Sequence, residues 1–243
     1  MIALGGQRVK LKWNLDVKLE GTLSKSEKES DQLSDPLSDS FLIKGLFFHG
    51  IVKFGRFILT SGVESPVYVD MRAVPSRPPL FRRIIGYLIT KAKELNFDAI
   101  CGVATGGIPH AAVMSYELGV PMAYVRSKKT HGLSKSVEGL LDRGSRVLLV
   151  DDVSTTGGSI ASAVETLRRS GLVVEDALVI LDRNQGAESL LMGHGIKLHS
   201  VLTLKGVMRS FLEMGLIPRE RYEEVMSYIE GCDIDRGREQ ERA

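Results

Sequence analysis

The chain has few of the features that would place it in several functional classes. Only two cysteines occur in 243 residues, Cys101 and Cys232, far apart and with no second Cys or His at ligand spacing. That spacing argues against a disulfide-stapled scaffold and a paired-cysteine zinc module. Cys101 lies in an apolar run and reads as a small core residue, with a structural disulfide as the lesser alternative. No uninterrupted apolar stretch approaches ~18 residues, so no membrane-spanning helix is expected. The amino terminus lacks the apolar run of a secretory signal. Net charge is only +2, which disfavours general nucleic-acid binding and leaves room for a local basic patch. Repeats with periods of about 20–50 residues are also missing. These absences point to a cytoplasmic, reducing location and to neither a membrane nor a nucleic acid as partner.

What is present suits an ordinary globular fold. The chain is 43% hydrophobic and 26% charged, and its length fits one domain with a small extra lobe. Residues 1–40 stand apart, because Ser24 to Ser40 is rich in Ser, Asp, Glu and Lys and has no aromatic residue. Such a segment buries too little apolar area to offset its ordering entropy, so it reads as a flexible leader. Val9 to Leu19 could add an edge strand to it. The expected domain is 41–230, with 231–243 as a frayed tail.

Within the domain, Phe41 to Val52 has helical spacing behind a Ser/Asp N-cap. Phe57 to Thr60 and Val67 to Asp70 read as two strands joined by a turn, and Leu80 to Leu95 carries an apolar helical stripe. Strand and helix signals then alternate. Strands are expected at Asp98–Val103, Pro121–Val125, Val147–Val150, Val173–Leu181 and Lys197–Leu204. Helices are expected at Ile108–Leu118, Ile160–Arg169, Ala187–Met192, Gly206–Met214 and Arg219–Ile229. This alternation implies an α/β fold: a mostly parallel central sheet with helices on both faces, plus a small amino-terminal lobe over about 41–75.

Four loops follow strand ends and so share one edge of the sheet, where open α/β folds bind ligands. The most informative is in Arg146 to Ser159, RVLLVDDVSTTGGS. Val147 to Val150 is a strand buried on both faces, ending in Asp151 and Asp152. Ser154 to Ser159 then supplies hydroxyls and glycines just before a helix, which is a cradle for phosphate. Separately, the two acids could be an N-cap pair and the glycines a turn; together, directly after an apolar strand, they point to a ligand. The loop Ala104 to Pro109 could bring backbone close to an anion, or could be a tight strand-to-helix turn. RSKKTHGLSKS, residues 126–136, is basic and apolar-poor; it is either a solvated face or a loop that closes over a polyanion. Arg183, at another strand end, could hold a carboxylate in a bidentate fork or pair with a nearby surface acid such as Asp182.

VLLVDDVSTTGGS resembles the phosphoribosyl-pyrophosphate (PRPP) motif of type I phosphoribosyltransferases. Four further segments, in order, resemble orotate phosphoribosyltransferases and the corresponding half of UMP synthase. They are FGRFILTSGVESPVYVDMR, VATGGIP, RSKKTHG, and LDRNQG followed by HGIKLHSVLTL. The similarity runs from about residue 41 to 230. It implies the type I fold with an amino-terminal hood, and transfer of a phosphoribosyl group from PRPP to orotate with release of pyrophosphate. It also implies Mg²⁺ carried by PRPP, with no direct protein metal ligand assigned, and a homodimer whose mobile loops reach the neighbouring site.

Residue by residue, the resemblance implies that Asp151 and Asp152 meet the ribose hydroxyls, and that Val153, Ser154, Thr155, Thr156, Gly157, Gly158 and Ser159 hold the 5′-phosphate. Thr105 and Gly106 would face the pyrophosphate. Arg126, Lys128, Lys129 and His131 would bind it from the mobile loop, with Lys129, His131 and Asp152 as the catalytic set. Thr155, Arg183 and Tyr68 would contact orotate. The chain departs from the pattern in three places. Thr60 and Gly106 stand where relatives often carry lysine, and the mobile loop is one residue short, which leaves Lys128 as the rival of Lys129. The alternatives are a purine-base transferase of the same superfamily and a PRPP-sensing nucleic-acid-binding regulator. Arg183 and the hood argue against the first; Lys129 and His131 argue against the second.

Overall fold

Alternate residues of Val147–Val150 enter two different apolar layers, which is why the run is continuously hydrophobic. Leu148 and Val150 belong to one layer, Val147 and Leu149 to the other. The computed structural model describes residues 35–58, 63–126 and 137–240, with side chains through 231. In chain order its elements are α1 (Ser40–Phe48), β1 (Val52–Ile58), β2 (Glu64–Val69), a 3-10 segment (Met71–Ser76), α2 (Pro78–Ala92), β3 (Ala99–Val103), α3 (Gly107–Leu118) and β4 (Met122–Val125). After these come β5 (Val137–Glu138), β6 (Val147–Ser154), α4 (Gly158–Arg169), β7 (Asp176–Asp182), α5 (Ala187–Gly193), β8 (Lys197–Thr203), α6 (Leu204–Glu213) and α7 (Arg219–Gln240).

Six strands form one sheet in the order β5-β4-β3-β6-β7-β8, parallel throughout except for the β4–β5 pair. The chain leaves β3 toward β4 on one side and returns as β6 on the other. The loops after β3 and β6 therefore flank a topological switch point at the sheet's carboxyl edge. One face packs against α1, α2, α3, α6 and α7, the other against α4 and α5. This is the expected α/β architecture. Cys101 is buried in the second layer, and burial pushes its thiol up to about 12 despite a hydrogen bond from the Val125 backbone. Among the described residues, no helix is long and apolar enough to cross a membrane.

The hood is built from both halves of the domain. β1 and β2 pair antiparallel, with Val52 opposite Val69. Their inner face shares one core with α1, α6 and α7: Leu42, Val67, Phe211, Val225 and Ile229 are all buried in it. Phe211 meets Phe47 and Phe54 edge-on, with ring centroids at 5.3 and 6.4 Å. Asp39 caps α1 by accepting from the Leu42 N–H at 3.1 Å, and its other oxygen accepts from Arg83 and, at 2.8 Å, from the Tyr87 hydroxyl. Burial would raise this carboxyl, but the hydrogen bonds from Arg83, Leu42 and Tyr87 and the Arg83 charge outweigh it and hold the group below its ordinary value.

Several boundaries differ from the sequence expectation. The hairpin is longer, Val52–Ile58 with Glu64–Val69, because its outer residues pair across strands that alternate in burial. β6 continues through the two acids to Ser154, because β7 runs beside it to Asp182. β7 starts only at Asp176, and Val173 makes a single bridge to Arg146. The last helix extends past Ile229 to Gln240, over residues that read as a frayed tail. Val9 to Leu19, Thr60 and most of the basic loop lie outside the described residues.

Candidate active site

The loop after β3 is held against β6 with no room to spare. A Cβ on Gly107 would stand 2.2 Å from the Val150 carbonyl oxygen, and one on Gly106 would stand 2.2–2.4 Å from the three carboxylate atoms of Asp152. The two glycines are thus required by close approach; neither has a positive φ. The Ala104–Thr105 peptide of this loop is cis. Thr105 is exposed at its tip, while Gly106 and Gly107 are buried.

Asp151 and Asp152 take different roles. Asp151 is 7% exposed; its carboxylate accepts from the Asp152 N–H at 2.9 Å and also from the Gly107 backbone at the start of α3. Burial, reinforced by the neighbouring Asp152 charge, pushes the Asp151 carboxyl well above its ordinary value. Asp152 is half-buried and accepts from the Val153 N–H at 2.9 Å. It is the acid that borders the open loop.

The turn between β6 and α4, read from the sequence as a phosphate cradle, is shorter in the structure than that reading. Ser154 belongs to β6 and is 2% exposed, its hydroxyl without a hydrogen-bond partner among the described residues. The turn proper is Thr155–Gly157, with Gly157 at φ 83° packed on the Ala187 carbonyl. Gly158 and Ser159 open α4, and no side chain caps that helix. Its first amides therefore have no acceptor within the helix, and Thr156, Gly158 and Ser159 are exposed around them. An uncapped N-terminus lined with hydroxyls is suited to an anion.

Arg183 is buried rather than on the surface. It is 4% exposed and reaches from the end of β7 under the hood, donating to Ser65 Oγ at 3.2 Å and to the Val67 carbonyl at 3.4 Å. Tyr68 is half-buried and projects from the other face of β2, its ring 5.4 Å from that of Phe57. Arg126 follows β4 and pairs with Glu138 of β5 at 3.1 Å. Lys128, Lys129 and His131 fall outside the described residues. Among the described residues, no group of three or more His, Cys, Asp or Glu is placed to hold a metal.

Two residues at this edge escaped the sequence reading. His110 is fully buried; its Nδ1 lies 3.0 Å from the Gly106 carbonyl, and its Nε2 has no hydrogen-bond partner among the described residues. Burial lowers its pKa, against the Gly106 bond and the Asp152 charge, so the ring is neutral and Nδ1–H is the donor. Its position one turn into α3 was the available signal. Arg72 closes the segment FGRFILTSGVESPVYVDMR, where the sequence assigned it no role. It donates through Nε to Asp70 and through a terminal nitrogen to the Tyr68 hydroxyl.

The phosphoribosyl transferase domain family matches residues 74–193, which contain both loops of the switch point. Orotate phosphoribosyltransferase of Sulfolobus acidocaldarius is 40% identical over 188 residues, covering 77% of this chain and 95% of that protein. Uridine 5′-monophosphate synthase of Bos taurus is 37% identical over 78% of this chain, but over only 40% of its own length. Among solved structures, orotate phosphoribosyltransferase from Aeropyrum pernix superposes with a TM-score of 0.66 at 40% identity, covering 73% of this chain and 99% of that one.

Proposed function

The chain belongs to the orotate phosphoribosyltransferase family, and on that premise we propose that it transfers the 5-phosphoribosyl group of PRPP to orotate in the cytoplasm, giving orotidine 5′-monophosphate and pyrophosphate. The observation that carries this reading is the β3/β6 switch point. There, two acids and an uncapped, hydroxyl-lined helix start lie beside a glycine loop, as a sugar bearing both hydroxyls and a phosphate requires.

Asp152, at the open edge, and Asp151 behind it would take the ribose hydroxyls. Val153 and Ser154 would line the cradle, and Thr155 to Ser159 would take the 5′-phosphate through backbone amides and hydroxyls. The C1–pyrophosphate bond breaks ahead of bonding to the base nitrogen, so the protein's work is to align the reactants and stabilise the departing charge. Lys129, with His131, Lys128 and Arg126, would supply cations to that leaving group, and Thr105 and Gly106 would face it. Mg²⁺, when bound, would add charge neutralisation. The hard oxygens here fit such an ion if most ligands come from the substrate and Asp152 is the bordering carboxylate.

For the base, Thr155 would contact the ring, Tyr68 would approach from the hood, and Arg183 would take the carboxylate. Arg183 donates to two neutral oxygens at 3.2 and 3.4 Å, and a carboxylate would give it a charge-assisted, forked acceptor. A homodimer is supported by a groove of about 480 Å3 between α2 and α3. Phe81, Ile85, Ile89 and Val113 line it, and Arg82 and Glu117 border it.

Pyrophosphate release from PRPP, measured with orotate present and absent, tests the assignment. Orotate-dependent release is expected. Release with adenine or hypoxanthine but not with orotate would overturn it in favour of a purine-base enzyme.

A further inference from the structure

Arg72 joins the hood to the edge where the ligands bind. It lies in the 3-10 segment, which packs against β6. Its Nε donates to Asp70 Oδ1 at 2.8 Å and its terminal nitrogen to Tyr68 Oη at 2.7 Å, while the side chain stays 59% exposed. Asp70 is its main electrostatic partner, and the charge of Asp152 also reaches it. On the far side of Tyr68, the Phe57 ring lies tilted by 31° against the tyrosine. The four residues make a chain: an acid fixes a cation, the cation fixes a hydroxyl, and a second ring fixes the first.

The hydroxyl's role follows from its proton count. A phenol has one proton to donate and lone pairs to accept with. Since Tyr68 Oη accepts from Arg72, its own proton is left to point elsewhere, and a guanidinium bound to the oxygen makes that proton a better donor. We propose that Arg72 is a positioning residue for base recognition: clamped by Asp70, it holds the Tyr68 hydroxyl as acceptor and so presents the tyrosine O–H to a carbonyl oxygen of the pyrimidine. The inference rests on the preceding assignment of orotate as the base. It makes selectivity for the base depend on a residue that does not touch it.

Arg72→Gln, Arg72→Lys, Tyr68→Phe and the Tyr68→Phe/Arg72→Gln double variant of the full chain are compared in steady-state pyrophosphate release, varying orotate and PRPP in turn. Arg72→Gln and Tyr68→Phe are each expected to raise the orotate KM about tenfold, the loss of one hydrogen bond involving a charged partner. The PRPP KM should stay within about twofold, and the double variant should be no worse than either single one. Arg72→Lys keeps the charge but not the two-pronged geometry and should fall between; it also carries the comparison if glutamine lowers the melting temperature. A PRPP KM that rises as much as that of orotate would mean that Arg72 meets a phosphate directly, and would overturn the proposal. So would multiplicative effects in the double variant, or an unchanged orotate KM. Wild-type protein that does not use orotate overturns the functional assignment and this inference together; wild-type turnover with indifferent Arg72 variants overturns the inference alone.

Discussion

Alanine at Gly106 and alanine at Gly107 should have different consequences although the residues are adjacent. At Gly107 the new methyl would stand 2.2 Å from the Val150 carbonyl oxygen and 3.0 Å from the Asp151 Cα. Both belong to the backbone of β6, which is bonded to β3 on one side and β7 on the other. Relief requires moving a central strand, an overpacking penalty of about 1–3 kcal/mol. For a chain of this size each kcal/mol lowers the melting temperature by about 2–4 °C, so Gly107→Ala should lose about 2–12 °C. At Gly106 the three atoms nearest the methyl are all of the Asp152 carboxylate, a half-buried side chain that can turn away. Stability should then fall by under about 1 kcal/mol, the usual range for a site without such a backbone clash. The displaced carboxylate would instead lose the ribose hydroxyls proposed as its partners. One hydrogen bond to a charged group corresponds to a drop of about ten- to a hundredfold in kcat/KM for PRPP. Thermal melts alongside orotate-dependent pyrophosphate release read both effects. Equal losses of melting temperature, or Gly106→Ala with wild-type kcat/KM, would refute the reasoning.

Four further outcomes are expected. Asp39→Ala should cost about 1–3 kcal/mol at pH 7 through the lost cap and buried hydrogen bonds, with the Arg83 pair discounted because that side chain is 39% exposed. Because the folded Asp39 carboxyl is held below its ordinary value, its contribution is present above the unfolded pKa of about 3.9 and is lost as pH falls through the folded value. Melts at pH 7 and pH 3 should show the gap between wild type and variant closing in acid. Lys129→Ala should lower kcat by about a hundredfold or more with an unchanged melting temperature; if Lys128→Ala carries that loss instead, the loop assignment shifts by one. Arg183→Ala should raise the KM for orotate more than that for PRPP, and equal effects in steady-state kinetics would undo its assignment to the carboxylate. Cys101, buried and with its thiol pushed up to about 12, should resist alkylation in the native protein and react only after unfolding, as peptide mass mapping would show.

Much of the ligand edge was legible because it depends on local order along the chain. An apolar run of four, two acids and a hydroxyl–glycine turn announce a buried strand feeding a helix start, and the fold places them so. The rest depends on pairing between distant segments. Gly106 and Gly107 read as anion-approach glycines, and nothing in the sequence signalled their close approach to Asp152 and Val150, which depends on the β3–β6 register. Arg183 could be read as a surface or a ligand-binding cation. Its burial depends on Ser65 and Val67, 118 and 116 positions away. Arg72 carries no periodic signal, since its partners Asp70 and Tyr68 make sense only once β2 has ended and the chain has turned.

The hood's shared core also bears on how the molecule is made. α1, β1 and β2 emerge early in synthesis, yet the aromatic cover for Phe47 and Phe54 is Phe211 of α6, and Arg221 of α7 lies over the Phe54 ring. Until those two helices leave the ribosome, the hairpin's apolar face has α1 beside it but lacks the cover of α6 and α7. The sheet's parallel strands can pair while translation proceeds; the lobe that would recognise the base matures at the end, when the two ends of the domain meet.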